Sequence, residues 1–165
     1  VPPSQEQKAA AFAALHAGPP FVLPNPWDAG SARVLAALGF QALATTSSGF
    51  AFTLGRPDGE ATLDEVVAHV AALDAATDLP VAADLENGYG ADPASAALAI
   101  RRAAGAGAVG GSIEDWDPAG GIYELGHAVE RIAAAVETAR DLPFPFMLAA
   151  RAENHIRGNP DLDDT

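Results

Sequence analysis

Short apolar runs alternate with longer amphipathic ones along this chain, and the alternation predicts strand, loop and helix in repeated order. Ser4 with Gln7 three residues on makes a capping-box pattern ahead of an Ala-rich helix to Ala17, which Gly18-Pro19-Pro20 ends. Residues 21–23 read as a first short strand, and Asn25-Pro26-Trp27-Asp28 turns the chain into a helix over residues 29–38, stopped by Gly39. Residues 42–45 are the second strand. Thr46-Ser47-Ser48-Gly49 follows as a hydroxyl-rich loop, which continues through Arg56-Pro57-Asp58-Gly59 to a second capping box, Thr62 with Glu65. Leu63, Val66, Val67, Val70 and Leu73 then recur at helical spacing.

Val81, Ala82 and Ala83 form a continuous apolar run behind Pro80, as expected of a strand buried on both faces of a parallel sheet. Asp92-Pro93 is a cap with a proline at the first helical position, opening a helix that Gly105-Ala106-Gly107 ends. Residues 109–113 make the fourth strand. After a Gly-rich stretch from 116 to 126, which reads as a mobile lid, a helix carries Val129, Ile132, Ala133 and Val136 on one face. Residues 146–150 are the fifth strand. Five strands alternating with helices are the signature of an α/β fold with a parallel sheet.

Polar residues able to do chemistry cluster just past the predicted strands: Asp28, Ser47 and Ser48, Asp84 and Glu86, Glu114 and Asp115, Arg151 and Glu153. Parallel strands point the same way, so these groups gather on one rim, where (β/α)₈ barrels and open α/β sheets alike bind ligands. Asp84 and Glu86 are two apart, so both side chains share a face if strand geometry persists one pair further. Two carboxylates held close repel unless a proton or cation lies between them. The plainer alternative is a polar strand end closed by the Gly88-Tyr89-Gly90 turn.

Composition narrows the chemistry. The 165-residue chain is 49% apolar and carries a formal charge of −13, which argues against nucleic acid or an anionic membrane surface as a partner. It has no cysteine, and His16, His69, His127 and His155 are far apart, so thiolate zinc sites and paired-histidine sites are excluded within these residues. Asp84, Glu86 and Glu114 are hard oxygen donors suited to Mg²⁺ or Mn²⁺, with some acting through water. Arg151 offers a cationic fork for a carboxylate or phosphonate, so the expected substrate is a small anionic, chelating 2-oxo acid. No apolar run approaches the roughly 20 residues of a membrane span, and residues 1–8 lack the pattern of a signal peptide, so a cytoplasmic location is the default.

The motifs AADLENGYG, GGSIEDW and AARAEN, with NPWDAGSARVLAALGF and LGRPDGE in support, resemble the isocitrate lyase and phosphoenolpyruvate mutase superfamily from about Phe21 onward. Its members, carboxyvinyl-carboxyphosphonate phosphorylmutase and 2-methylisocitrate lyase among them, are (β/α)₈ TIM barrels. They bind Mg²⁺ and a 2-oxo acid or its enolate and make or break an adjacent C–C or P–C bond. The resemblance implies that Asp84, Glu86 and Glu114 are metal-site carboxylates and that Arg151 contacts substrate. It implies that Thr46, Ser47 and Ser48 hold the substrate carboxylate, that Asp58 lies close to substrate and metal, and that Tyr89 shapes the pocket. It also implies a homo-oligomer for a full-length chain, since members form tetramers by exchanging C-terminal helices.

Two departures qualify that picture. The carbon–carbon lyases carry a Cys in a Lys-Lys-Cys-Gly-His or Lys-Arg-Cys-Gly-His segment; the corresponding run here is Tyr123-Glu124-Leu125-Gly126-His127, with Leu in that place. A barrel takes roughly 250 residues, so residues 1–165 are expected to be the N-terminal part of a single TIM-barrel catalytic domain, about its first five βα units. The expected activity is a Mg²⁺-dependent lyase or mutase reaction through an enolate-like intermediate. Oxaloacetate decarboxylase or phosphonopyruvate hydrolase-like chemistry, or a silent metal-binding scaffold, are the alternatives. Asp58 in its turn and Ser47 and Ser48 in their loop also have purely structural readings, as do Asp28, Asp115, Arg33, Arg56 and His127.

Overall fold

The computed structural model describes residues 1–163 and 165. Six helices and six strands follow in order: α1 (Gln5–His16), α2 (Ala29–Ala37), β1 (Leu43–Ala44), α3 (Ser47–Thr53), α4 (Leu63–Ala76), β2 (Val81–Asp84), α5 (Pro93–Gly105), β3 (Gly110–Glu114), β4 (Trp116–Asp117), β5 (Gly121–Ile122), α6 (Leu125–Arg140) and β6 (Met147–Arg151). Four strands form one parallel sheet in the order β1-β2-β3-β6, with Leu43 opposite Val81, Ala82 opposite Gly110 and Glu114 opposite Arg151. Helices connect the successive strands of this sheet, as the alternating pattern requires.

Caps read from the sequence set most helix starts. Ser4 and Thr62 form capping boxes with Gln7 and Glu65, and Asp28 caps α2, accepting from the Ser31 N–H. Asp92 precedes Pro93 but its side chain makes no capping hydrogen bond. Strand interiors are apolar and small where elements press together. Val81, Ala83, Val109 and Ile113 are buried, and each larger one contributes about 1.5–3 kcal/mol by leaving water. At Gly110 an added Cβ would lie 2.7 Å from the Phe12 ring and 2.8 Å from the Met147 carbonyl, so β3 can pass under α1 only as glycine.

Four expectations need correction. Residues 21–23 run beside β1, with the Ala44 N–H donating to Pro24 O at 3.1 Å, but form no strand. Pro24 and Pro26 lack the N–H that a ladder needs, so the sheet has four strands where five were expected. The hydroxyl-rich loop after β1 is the short helix α3, capped by Thr46, whose side chain accepts from the Gly49 N–H. The segment from 116 to 126 contains an antiparallel hairpin, β4 with β5. On α6, Val129 is 58% exposed, while Arg131, Ala135, Thr138 and Ala139 are buried, so the helix is turned from its expected face. Among the described residues no helix is long and apolar enough to cross a membrane.

Candidate active site

Asp84 ends β2, Glu114 ends β3 and Arg151 ends β6, so parallel pairing delivers all three to one rim. Arg151 Nη1 lies 2.7 Å from Glu114 Oε1 and 3.6 Å from Asp84 Oδ1, and its Nη2 donates to Glu153 Oε1 at 2.8 Å. Asp84 is fixed from behind. Its Oδ2 accepts from the Ser47 N–H at 3.0 Å, and its own N–H donates to Thr45 Oγ1 at 2.7 Å.

Glu86 reaches the same place by a different route from the one expected. Strand geometry stops at Asp84, and Glu86 and Tyr89 then take left-handed φ values of 48° and 62°. That conformation costs a non-glycine residue roughly 1–2 kcal/mol, so the surrounding contacts must hold it. The Gly88 N–H donates to Leu85 O at 2.7 Å, and the Glu114 N–H donates to Glu86 O at 2.7 Å. Arg131 is only 1% exposed and donates to the carbonyls of Asn87, Gly90 and Ala91, with its guanidinium 4.4 Å from the centre of the Tyr123 ring. Tyr123 in turn accepts from Asn87 Nδ2 at 3.1 Å, which joins the hairpin's exit to the Glu86 loop.

These elements surround a cavity of about 900 Å³ lined by Thr46, Ser47, Ser48, Asp58, Asp84, Glu86, Glu114 and Arg151. Tyr89 does not line it; it lies behind Glu86, its hydroxyl donating to Glu86 Oε1 at 3.4 Å. Burial, then the charges of Asp58, Asp84 and Glu114, push the Glu86 carboxyl up to about 7. Burial also pushes Glu114 up to about 7, with Arg151 opposing and Glu153 and Asp84 adding to the rise. The Tyr89 phenol is raised by burial and the same carboxylates. Of the plainer alternatives, Asp28 is a helix cap, Asp115 accepts the Glu153 N–H at 2.8 Å, and His127 meets Ala91 O at 2.8 Å.

Crowded carboxylates with raised proton affinity are the chemistry of a site for a hard cation. Among the described residues no three Asp, Glu or His side chains stand close enough to hold an ion by themselves, and Arg151 lies between Asp84 and Glu114. A dry three-carboxylate cage is therefore not formed by the described residues, and a cation here would have to be held partly through water, as Mg²⁺ commonly is.

Sequence reasoning missed two residues of this neighbourhood. Arg131 sits on a helix whose apolar spacing gave no hint of a buried cation. Arg157, four residues past Glu153, lines the cavity with its Nη2 3.3 Å from Glu153 Oε2 and its guanidinium 4.2 Å from the centre of the Trp116 ring. The one signal was the spacing of Glu153 and Arg157, which would have gained weight only had a helical turn been expected there.

A parallel α/β sheet with carboxylates and an arginine at the ends of its strands defines a class, the α/β proteins that bind small ligands at the strand-end rim. Residues 12–165 match the family model for phosphoenolpyruvate phosphomutase, and the chain belongs to that family, within the phosphoenolpyruvate mutase/isocitrate lyase superfamily. It is 57% identical to a "putative lyase/mutase" from Burkholderia cenocepacia J2315, with a TM-score of 0.95 over 98% of this chain and 59% of that one. It is 30% identical over 145 residues to 2-methylisocitrate lyase of Escherichia coli K12, covering 82% of this chain and 49% of the relative. Oxaloacetate acetylhydrolase in complex with its product oxalate superposes with a TM-score of 0.82 at 27% identity, over 94% of this chain and 56% of that one. The chain thus spans about half the length of these relatives.

Proposed function

We propose that this chain is the N-terminal part of a (β/α)₈ catalytic domain whose reaction makes or breaks a C–C or P–C bond beside a small 2-oxo acid. The observation that carries this reading is the convergence of Asp84, Glu86, Glu114 and Arg151 on one cavity, with two of the carboxylates pushed up to about 7. Asp84, Glu86 and Glu114 would hold Mg²⁺ or Mn²⁺, in part through water. Such an ion supplies a positive charge that binds a chelating substrate and lowers the cost of an enolate-like oxyanion.

The chain's own groups do the rest. Arg151 carries an N–H fork at the end of β6 that can exchange its carboxylate partners for a substrate carboxylate or phosphonate. Thr46, Ser47 and Ser48 present hydroxyls on the opposite wall, and Asp84 is kept in place by the Ser47 N–H. Asp58 adds negative charge next to Glu86. Preorganised charge of this kind is the main contribution assigned to the protein.

Leu125 stands where the carbon–carbon lyases have their acid cysteine, so a lyase step here needs a different proton donor. A hydrolytic or decarboxylating reaction on oxaloacetate or phosphonopyruvate is the second reading, and the resemblance to oxaloacetate acetylhydrolase favours it. Titrating the full-length protein with oxalate, a mimic of the pyruvate enolate, with and without Mg²⁺, tests both at once. Metal-dependent heat of binding is expected, with Asp84→Ala weakening it by roughly 100-fold. Absence of binding to the wild type would leave a silent scaffold as the better account.

A further inference from the structure

We propose that Arg157, held over Trp116, forms a second anion position in the same cavity, so that the substrate is a dicarboxylate whose far carboxylate it receives. This deepens the 2-oxo acid reading above and rests on it. Glu153 is almost fully buried, and its two oxygens face two different guanidiniums, Arg151 on Oε1 and Arg157 on Oε2. One negative charge is therefore shared by two positive ones. Arg151 has Glu114 as a further partner at 2.7 Å, whereas Arg157 makes no second ion pair among the described residues. Among the described residues the Arg157 guanidinium has an ion pair and a ring face but donates no side-chain hydrogen bond, although it lines the cavity and is only 34% exposed.

A guanidinium has five N–H donors in one plane. Stacking on Trp116 fixes the group without using any of them, because the ring binds it through its face. The donors are thus held in place at the cavity wall, and none of the described residues other than Glu153 meets them with a side-chain acceptor. Two guanidiniums separated by a single carboxylate stand a short carbon spacer apart, which matches the two ends of a small dicarboxylate. Arg151 takes the chelating end beside Asp84 and Glu114, and Arg157 takes the other. Trp116 opens the β4–β5 hairpin, so the second position also depends on that hairpin lying against the 153–157 turn.

Binding of two probes to the full-length protein with saturating Mg²⁺ tests the assignment. Oxalate fills only the chelating end; 3,3-difluorooxaloacetate extends a carboxylate further. Arg157→Met is expected to weaken the longer ligand about tenfold or more, as loss of a charged hydrogen bond does, and to leave oxalate affinity within about twofold. Arg157→Lys should retain part of the longer ligand's affinity. Equal weakening of both probes would overturn the proposal by showing that Arg157 acts through Glu153 on Arg151, and no change in either would make it a strap for the turn. Failure of the wild type to bind oxalate would instead overturn the 2-oxo acid reading and the second position with it. Thermal melting of each variant separates these results from loss of fold.

Discussion

Where the sheet's strands begin, Lys8 Nζ lies 2.7 Å from Asp74 Oδ1; where they end, Arg151 Nη1 lies 2.7 Å from Glu114 Oε1. Lys8 also donates to the carbonyls of Asp74 and Thr77, at 3.3 and 3.0 Å, so three donors meet three acceptors and α1 is tied to the last turn of α4. Arg151 is 43% exposed, faces a cavity, and has Asp84, Glu114 and Glu153 around one positive charge. Pair length does not distinguish a structural ion pair from a functional one. What differs is whether donors and acceptors match in number and whether space is left for another molecule.

The largest effect on stability should therefore come from the matched pair. Lys8→Met keeps the stem and removes the ammonium, stranding Asp74 beside two carbonyls, and should cost roughly 2–3 kcal/mol in urea unfolding. That is below the roughly 3–5 kcal/mol of a fully enclosed pair, because Asp74 is about a third exposed. Arg151→Met should cost about 1 kcal/mol or less, as exposed pairs do. Equal losses in the two variants would remove the distinction between the two ends.

Local features were the most legible in sequence, whereas the Lys8–Asp74 pair, which joins two distant helices, carried no signal there. Helix caps such as Ser4 with Gln7 and Thr62 with Glu65 are local, and four of the five expected strands were found because each is a short run of small or apolar residues between a helix exit and a polar strand end. Residues 21–23 failed because the prolines beside them decide pairing through a missing N–H, which hydrophobicity does not register. The rim residues Asp84, Glu114 and Arg151 were found since each ends a strand. Glu86 was placed on the right side for a wrong reason: the chain leaves strand geometry and turns left-handed, a conformation imposed by Arg131 from a distant helix. Arg157 was missed because its i,i+4 spacing from Glu153 counts only in a helical turn that the sequence did not predict, and Trp116 meets it only in three dimensions.

Unmatched charge at the rim should show as a pH effect in the metal-free protein. Glu86 has a folded-state value of about 7 against an ordinary 4.5, so the folded protein holds a proton that the unfolded chain releases. This contribution to stability is complete below pH 4.5 and is lost as pH rises through about 7. Glu86→Gln keeps an acceptor for the Tyr89 hydroxyl but cannot ionise. In urea unfolding with a chelator present, the variant should gain about 1–2 kcal/mol on wild type between pH 5 and 8, less than the whole shift implies because solvent screens the side chain. A constant difference across that range would show that burial and the neighbouring charges of Asp58, Asp84 and Glu114 do not raise the Glu86 carboxyl.

His69 is a third case, a buried polar group with neither a matched partner nor a cavity role in the reading above. Its ring stacks on Phe50 at 4.1 Å and 14°, and its Nε2 has no hydrogen-bond partner among the described residues. Burial holds its proton affinity below the ordinary 6.5, with Asp28 opposing weakly. The sign is opposite to that of Glu86: the unfolded chain takes up a proton that the folded one refuses, so stability is present above pH 6.5 and lost as pH falls. His69→Phe keeps the stack and removes the unpaired nitrogen. It should lie within about 1 kcal/mol of wild type at pH 8 and lose less stability on acidification to pH 5.5. If the two proteins lose stability in parallel below pH 6.5, His69 takes up its proton in the folded state, and the loss on acidification must come from other groups.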